Sequence, residues 1–384
     1  MGVLSGIRVV EFAAIGPAPF GTMLLADMGA DVVRIDRAEA ASDLGPRLEG
    51  RTVDITGRNR RSVTLDLKDP QSITAALELI ERADVLIEGF RPGTLERLGL
   101  GPDVALARNP RLIYARMTGW GQTGPLADRA GHDLNYIALS GMLSAIGPAG
   151  GKPVPPLNLV GDYGGGGMLL AMGVLAALLN VQRGGAGQVV DAAMTEGAAQ
   201  LGSVIFGLLA GGHWTEQRGS NLLDGGAPWY DTYETADGQH MSIGPIESRF
   251  YVQMLEILGL ANADLPGQHD RAGWPRLREA FTDAFLSRTR TQWAQAFADS
   301  DACVVPVLGL AEAAEHPHSV ARGSFIEVSG VVQPVPAPRF LSTPSATPRP
   351  APQRGEHGGE ALRDWGFDIA AIERLRELGL GFKA

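Results

Sequence analysis

The sequence predicts an α/β fold: a large parallel-sheet domain followed by a smaller α+β domain. Three observations carry that expectation. Short apolar strand signals alternate with helices through the first 190 or so positions. A stretch rich in Gly, Asn and Ser at 218–226 then interrupts the chain. Beyond it, Trp229-Tyr230-Asp231-Thr232-Tyr233 alternates aromatic with polar residues ahead of an Asp237-Gly238 turn. Strands spaced by helices pair in parallel as βαβ units. An alternating run before an Asp-Gly turn is a hairpin signal.

In order, strands are expected at 7–12, 31–35 and 62–67, with shorter apolar ones at 85–87 and 112–117. Gly16-Pro17 breaks the chain after the first, and a helix is expected over 20–28. Ile73, Ala76, Leu77 and Ile80 recur at helical spacing. From Gly164 the chain is glycine-rich, then helical to Asn180, and 188–191 reads as a strand. The second region adds helices at 250–258, 274–286 and 291–300. A proline-rich segment at 334–352 suits an extended surface wrap, and 359–378 two short helices.

Composition limits the function classes. With 384 residues, 45% hydrophobic and 20% charged, the chain can bury large cores. A net charge of -10 argues against general nucleic-acid binding. One cysteine, Cys303, excludes an intrachain disulfide or a cysteine zinc site, and its apolar neighbours predict a buried, inert thiol. Residues 1–11 lack a signal-peptide layout, the apolar run 168–179 is too short to span a bilayer, and Gly-Phe-Lys-Ala is not a peroxisomal address. No membrane association and a cytoplasmic location are the expectations.

Two residues stand out for chemistry. His132 follows a Gly/Pro-rich loop, 119–125, at the expected start of a helix, where an imidazole can act as base or acid. Asp162 precedes Gly164-Gly165-Gly166-Gly167, which lets backbone approach a ligand. Read alone, each also suits a structural role: His132 a cap or core-edge histidine, Asp162 an N-cap. Glu247 reads as a surface carboxylate or as an orienter of a base. Arg37, Lys68, Arg91 and Arg97 lie near the ends of expected strands and could cradle a polyphosphate, though each alone reads as a surface charge. Neither a dinucleotide glycine fingerprint nor a P-loop is present.

Ordered motifs add a resemblance. Gly29-Ala30-Asp31-Val32-Val33-Arg34-Ile35, Asn59-Arg60-Arg61-Ser62, Leu65-Asp66-Leu67-Lys68, Arg91-Pro92-Gly93, Asn109-Pro110-Arg111-Leu112-Ile113-Tyr114, Gly119-Trp120-Gly121-Gln122-Thr123-Gly124-Pro125, Gly187-Gln188-Val189-Val190-Asp191 and Gly355-Glu356-His357 resemble the family III CoA-transferase superfamily. The similarity runs from about residue 4 to 378. In the transferases the aspartate at the Asp162 position is a nucleophile that forms acyl-enzyme anhydrides. In racemases of 2-methylacyl-CoA thioesters it is an acid/base group, faced by a histidine in Gly-His-Asp-x-Asn-Tyr. Gly131-His132-Asp133-Leu134-Asn135-Tyr136 matches that motif. Pro155-Pro156-Leu157-Asn158-Leu159-Val160-Gly161-Asp162, the segment 225–233 and the position of Glu247 are similar to the racemases as well.

The resemblance implies epimerisation at C2 of 2-methylacyl-CoA thioesters, with a CoA-transferase using Asp162 as nucleophile as the alternative. It implies His132 for the (S)-substrate proton, Asp162 for the (R), and Glu247 to orient the imidazole. Arg37, Leu65, Asp66, Leu67, Lys68, Gly89, Phe90, Arg91 and Arg97 would bind the CoA nucleotide part. Gly131, Asp133, Leu134, Asn135 and Tyr136 would hold the thioester end. Met117, Met194 and Met241 are candidates for acyl-chain contact, with core filling the favoured reading of each. No metal or redox cofactor is expected. The partners implied are the acyl-CoA substrate and a second copy, in an interlaced homodimer where Glu247 would reach His132 of the partner subunit. The implied organisation is a Rossmann-like large domain from 1–192 and 337–384, linkers at 193–226 and 319–336, and a small domain at 227–318. The stretch 43–56 looks longer than in compact relatives.

Overall fold

The computed structural model describes residues 2–37 and 54–382; most of the 43–56 stretch lies outside them. Among the described residues, six strands form one parallel sheet: β1 Arg8–Phe12, β2 Asp31–Asp36, β3 Arg60–Thr64, β4 Val85–Glu88, β5 Ile113–Thr118 and β6 Gln188–Ala193. Their order is β3-β2-β1-β4-β5-β6. The chain therefore reverses its direction of travel across the sheet between β1 and β4. In open α/β sheets ligands bind at such a reversal, beyond the carboxyl ends of the strands. β3, β4 and β5 are buried along their whole length, as strands covered on both faces must be.

Helices cover both faces. α1 Pro17–Asp27 follows β1, and its proline sits in the first turn, where a missing N–H costs nothing. α2 Pro70–Glu81 opens on Asp69, whose carboxylate accepts from the Gln71 and Ser72 N–H groups. The short α3 Thr94–Arg97 and α4 Pro102–Arg108 lead to β5. After a loop comes α5 Asp133–Leu139, and the single-turn α6 Met142–Ala145 follows it in sequence. A π-helical segment, Leu159–Met168, runs directly into α7 Leu169–Gln182, and α8 Met194–Leu201 follows β6. One core packs α2 and α4 against the sheet together with α15 Gly358–Asp364 and α16 Ile369–Glu377, through Leu79, Ile80, Leu362, Trp365 and Ile372. The other packs α1 and α7 through Leu25, Leu170 and Val174.

The chain divides into two compact units. The first comprises Met1–Ser140, Leu157–Leu201 and Pro317–Ala384; the second comprises Gly141–Pro156 and Gly202–His316. The second holds an antiparallel sheet, β7 Asp231–Glu234, β8 His240–Ile243 and β9 Val304–Pro306. α10 Ser248–Leu258, α11 Trp274–Phe285 and α12 Arg290–Phe297 pack beside it around Trp229, Phe281, Phe285 and Trp293.

The division departs from the sequence expectation at three places. Residues 141–156 join the second unit, tied there by the Arg218 guanidinium, which donates to the Ser144 and Gly151 carbonyls. The expected linker at 193–226 contains α8 and α9 Ser203–Ala210, in different units. The expected linker at 319–336 contains part of α14 Pro317–Arg322 and the hairpin of β10 Phe325–Val328 with β11 Val331–Pro334. The apolar run at 168–179 also proves to be part of a longer continuous helix, Leu159–Gln182. By length and composition it could cross a membrane, but half of it is buried, as in a core helix.

Candidate active site

The π-helical segment sets Asp162 in place. Glycines let it press on its neighbours: a Cβ at Gly165 would lie 2.5 Å from the Ala198 backbone N in α8, and one at Gly167 2.5 Å from the Pro17 carbonyl in α1. Any side chain there would push the segment off both helices, and π-helical turns of this kind cluster at functional sites. Asp162 thereby meets the loop after β1. A Cβ on Gly16, whose φ is +72°, would sit 3.2 Å from Asp162 Oδ2. That oxygen accepts from Asn158 Nδ2 at 3.1 Å, and the Asp162 N–H donates to Asp133 Oδ1 at 2.7 Å.

His132 is the N-cap of α5. Its N–H donates to Asn135 Oδ1 at 3.0 Å, and its carbonyl accepts from the Asn135 N–H at 2.8 Å. Tyr136 fixes the preceding peptide: its hydroxyl donates to the Gly131 carbonyl and its ring meets Trp120 edge-on, centroids 4.7 Å apart. Side chains at Gly119 or Gly131 would collide with that ring. His132 is thus anchored by its backbone while its imidazole is exposed.

Electrostatics join the two residues. Burial raises the Asp162 carboxyl above its usual range. The Asn158 hydrogen bond opposes that shift, the Asp133 carboxylate adds to it, and the nearby His132 opposes it. Asp133, next to His132 in the chain and bonded to the Asp162 peptide, links them physically. Tyr136 is also pushed up, first by burial and then by Asp162, with Arg91 opposing.

The expected nucleotide-binding residues gather on one edge of the sheet. Arg37 follows β2, Leu65 to Lys68 follow β3, Gly89 to Arg91 follow β4, and Arg97 lies in α3. Because the strands are parallel, these loops share the carboxyl edge with Gly16 and with the 119–136 loop and helix. The loops after β1 and β4 touch, a Gly89 Cβ falling 3.1 Å from Ala14 Cβ. Arg37, Lys68, Arg91 and Arg97 are exposed, and Arg97 donates to Thr94 Oγ1. Leu65 is buried core, so only its backbone can face a ligand.

Glu247 belongs to the second unit, as the exposed N-cap of α10. There its charge raises the Cys303 thiol, an effect second to burial. Cys303 itself corrects an expectation: it is exposed, at a φ of +54°, because the tight turn into β9 points it outward. Met117, Met194 and Met241 are all buried in cores, which settles them as packing residues. Asn158 and Gly16 are the site residues that sequence reasoning missed. The four-residue spacing of Asn158 from Asp162, one turn of helix, was a usable signal for Asn158. Among the described residues, no three His, Cys, Asp or Glu side chains converge as metal ligands.

Fold and site together define an α/β protein in which an imidazole and a half-buried carboxyl lie near a strand edge rich in cations. The chain belongs to CoA-transferase family III, whose family model matches residues 4–358. It is 45% identical over 375 residues to "Alpha-methylacyl-CoA racemase" of Mus musculus, covering 97% of this chain and 96% of that one. The protein of the same name from Homo sapiens is 45% identical over 374 residues, with the same shares covered. Among solved structures, a CAIB/BAIF family protein from Brucella suis superimposes with a TM-score of 0.79 at 25% identity, covering 95% of this chain and 99% of that one.

Proposed function

We propose that this chain is an acyl-CoA racemase that inverts C2 of 2-methylacyl-CoA thioesters by moving one proton off and another on through an enolate. The observation that carries the reading is the coupling of an exposed imidazole to a half-buried carboxyl of raised proton affinity, bridged by Asp133. The racemase names of relatives at 45% identity support it.

Inversion at a carbon with one acidic hydrogen needs a base on one side and an acid on the other. The pair works when it holds a single proton. With the (S)-substrate, neutral His132 takes the C2 proton and protonated Asp162 returns one to the opposite face. With the (R)-substrate the roles exchange. Free imidazole and carboxyl differ by about 2.6 pKa units, so the two one-proton states would differ by about 3.5 kcal/mol. Burial of Asp162 raises its proton affinity and so favours the state in which it holds the proton. The enolate oxygen needs fixed donors, and the peptide N–H groups opening α5 at Asp133 are suited to it. Arg37, Lys68, Arg91 and Arg97 would hold the nucleotide phosphates. The reaction transfers protons and no electrons, so it calls for no redox cofactor.

The motif resemblance extends the proposal to a homodimer in which Glu247 orients His132 of the partner subunit, and the lack of a recognisable targeting segment extends it to a cytoplasmic location. The test uses one 2-methylacyl-CoA epimer in heavy water with no acceptor acid. Deuterium should enter C2 as the configuration scrambles, and His132→Ala or Asp162→Ala should each cost at least 100-fold or so. If C2 stays protonated while hydroxylamine traps an acyl group on Asp162, the chain is a CoA-transferase instead.

A further inference from the structure

We infer that Asp133 is a positioning residue for Asp162: its buried Oδ1 seats the peptide that carries Asp162, and its carboxylate is set beside the Asp162 carboxyl where that group serves as the acid. This rests on the racemase reading and assigns the Asp133 side chain a role of its own, apart from its backbone N–H.

The geometry is specific. Asp133 is buried in the first turn of α5, and its Oδ1 accepts the Asp162 N–H at 2.7 Å. Its Oδ2 is also buried and meets no hydrogen-bond donor among the described residues. A buried carboxylate oxygen without a partner costs stability, so its retention needs a reason. No arginine or lysine forms an ion pair with this carboxylate among the described residues, in contrast to Glu11, Asp27 and Glu88. Its neighbour makes room for it: a Cβ on Gly161 would come within 2.5 Å of Oδ1. A carboxylate bonded to the Asp162 peptide lies beside the Asp162 carboxyl and acts on it electrostatically.

The other charges around Asp162 cannot replace it. His132 lies on the same loop-to-helix junction and acts in the opposite sense, and Tyr136 in α5 is a neutral phenol near neutral pH. α1 brings only Asp27, held by Arg58, and α8 brings Glu196, which is exposed. From the strands, Arg116 is held by Glu88 and Glu96, and Asp191 accepts from the Gln122 N–H. Asn158, the remaining polar contact, donates to the carboxylate and so favours its ionised form.

Asp133→Asn keeps an oxygen for the Asp162 N–H and deletes the charge. The readout is the pH profile of C2 hydrogen exchange in both substrate directions. The acidic limb should move to lower pH, and kcat/KM at neutral pH should fall about tenfold for each pH unit of displacement. The fall should be equal in both directions, since the enzyme cannot alter the equilibrium between epimers. Asp133→Ser, a smaller neutral acceptor, should do the same and serves if the first variant folds poorly. A profile that keeps its acidic limb in a folded neutral variant overturns the role. So does a wild-type acidic limb at or below about pH 4, the range of an ordinary carboxyl. Absence of exchange in the wild type would instead defeat the racemase reading itself.

Discussion

Replacing Gly161 by alanine tests the joint that holds the Asp162 carboxyl, the proposed acid/base group. The added Cβ would lie 2.5 Å from Asp133 Oδ1, 2.9 Å from its Cγ and 3.1 Å from Ile137 Cγ2. Optimal non-bonded separations are nearer about 3.5 Å, so the carboxylate must retreat by about 1 Å. That movement stretches the 2.7 Å bond from the Asp162 N–H out of hydrogen-bonding range. A hydrogen bond to a charged acceptor contributes about 1.5–3 kcal/mol. Forcing a methyl into packed surroundings costs about 1–3 kcal/mol. Alanine's better helix propensity returns about 1 kcal/mol. The expected net loss is about 1.5–5 kcal/mol, read as a lower midpoint in urea at unchanged slope. C2 exchange should fall in parallel, because the peptide of Asp162 is released. In a double-mutant cycle with Asp133→Asn the two losses should not add, since both act on one contact. A Gly161→Ala protein within about 0.5 kcal/mol of wild type and exchanging at the wild-type rate would refute the packing argument.

Two further outcomes follow from neighbouring contacts. Asn158→Leu removes the donor to Asp162 Oδ2; the ionised carboxylate loses a stabilising bond, so the acidic limb of exchange should move to higher pH, opposite to the effect of Asp133→Asn. A limb that stays put or moves down counts against that assignment. Glu11→Gln leaves the fully buried Arg60 guanidinium without its charge partner beneath the loop that carries Gly16. It should destabilise the protein by about 3–5 kcal/mol in urea titration, and a change under about 1 kcal/mol would show the pair to be dispensable.

Much of the first unit could be read from the chain. Val9-Val10, Val32-Val33 and Val85-Leu86-Ile87 are continuous apolar runs, and a strand covered on both faces requires such runs. The small sheet was legible for a different reason: alternation through 229–233 and an Asp-Gly turn fix a hairpin locally, and β7 and β8 pair as expected. Boundaries failed where long-range contacts decide them. Residues 141–156 carry no local sign that Arg218 will claim their carbonyls. The hairpin at 325–334 hid in a stretch that reads as a linker, because a short exposed hairpin needs little apolar pattern. Cys303 was misread because an apolar run predicts burial on average, while the backbone turn at that residue sets which way the thiol points.

The sequence by itself determined most strands of the first unit, the parallel sheet and, through a motif resemblance, which imidazole and carboxyl are proposed for the chemistry. Each of these is written locally, in periodicity, turn residues or short patterns. Only the tertiary structure decided what makes the carboxyl useful. Asn158, Asp133 and Gly16 reach Asp162 from different parts of the chain, and burial among them raises its proton affinity. Proton affinity depends on the dielectric and charges within a few ångströms in space, and no run of consecutive residues specifies that surrounding.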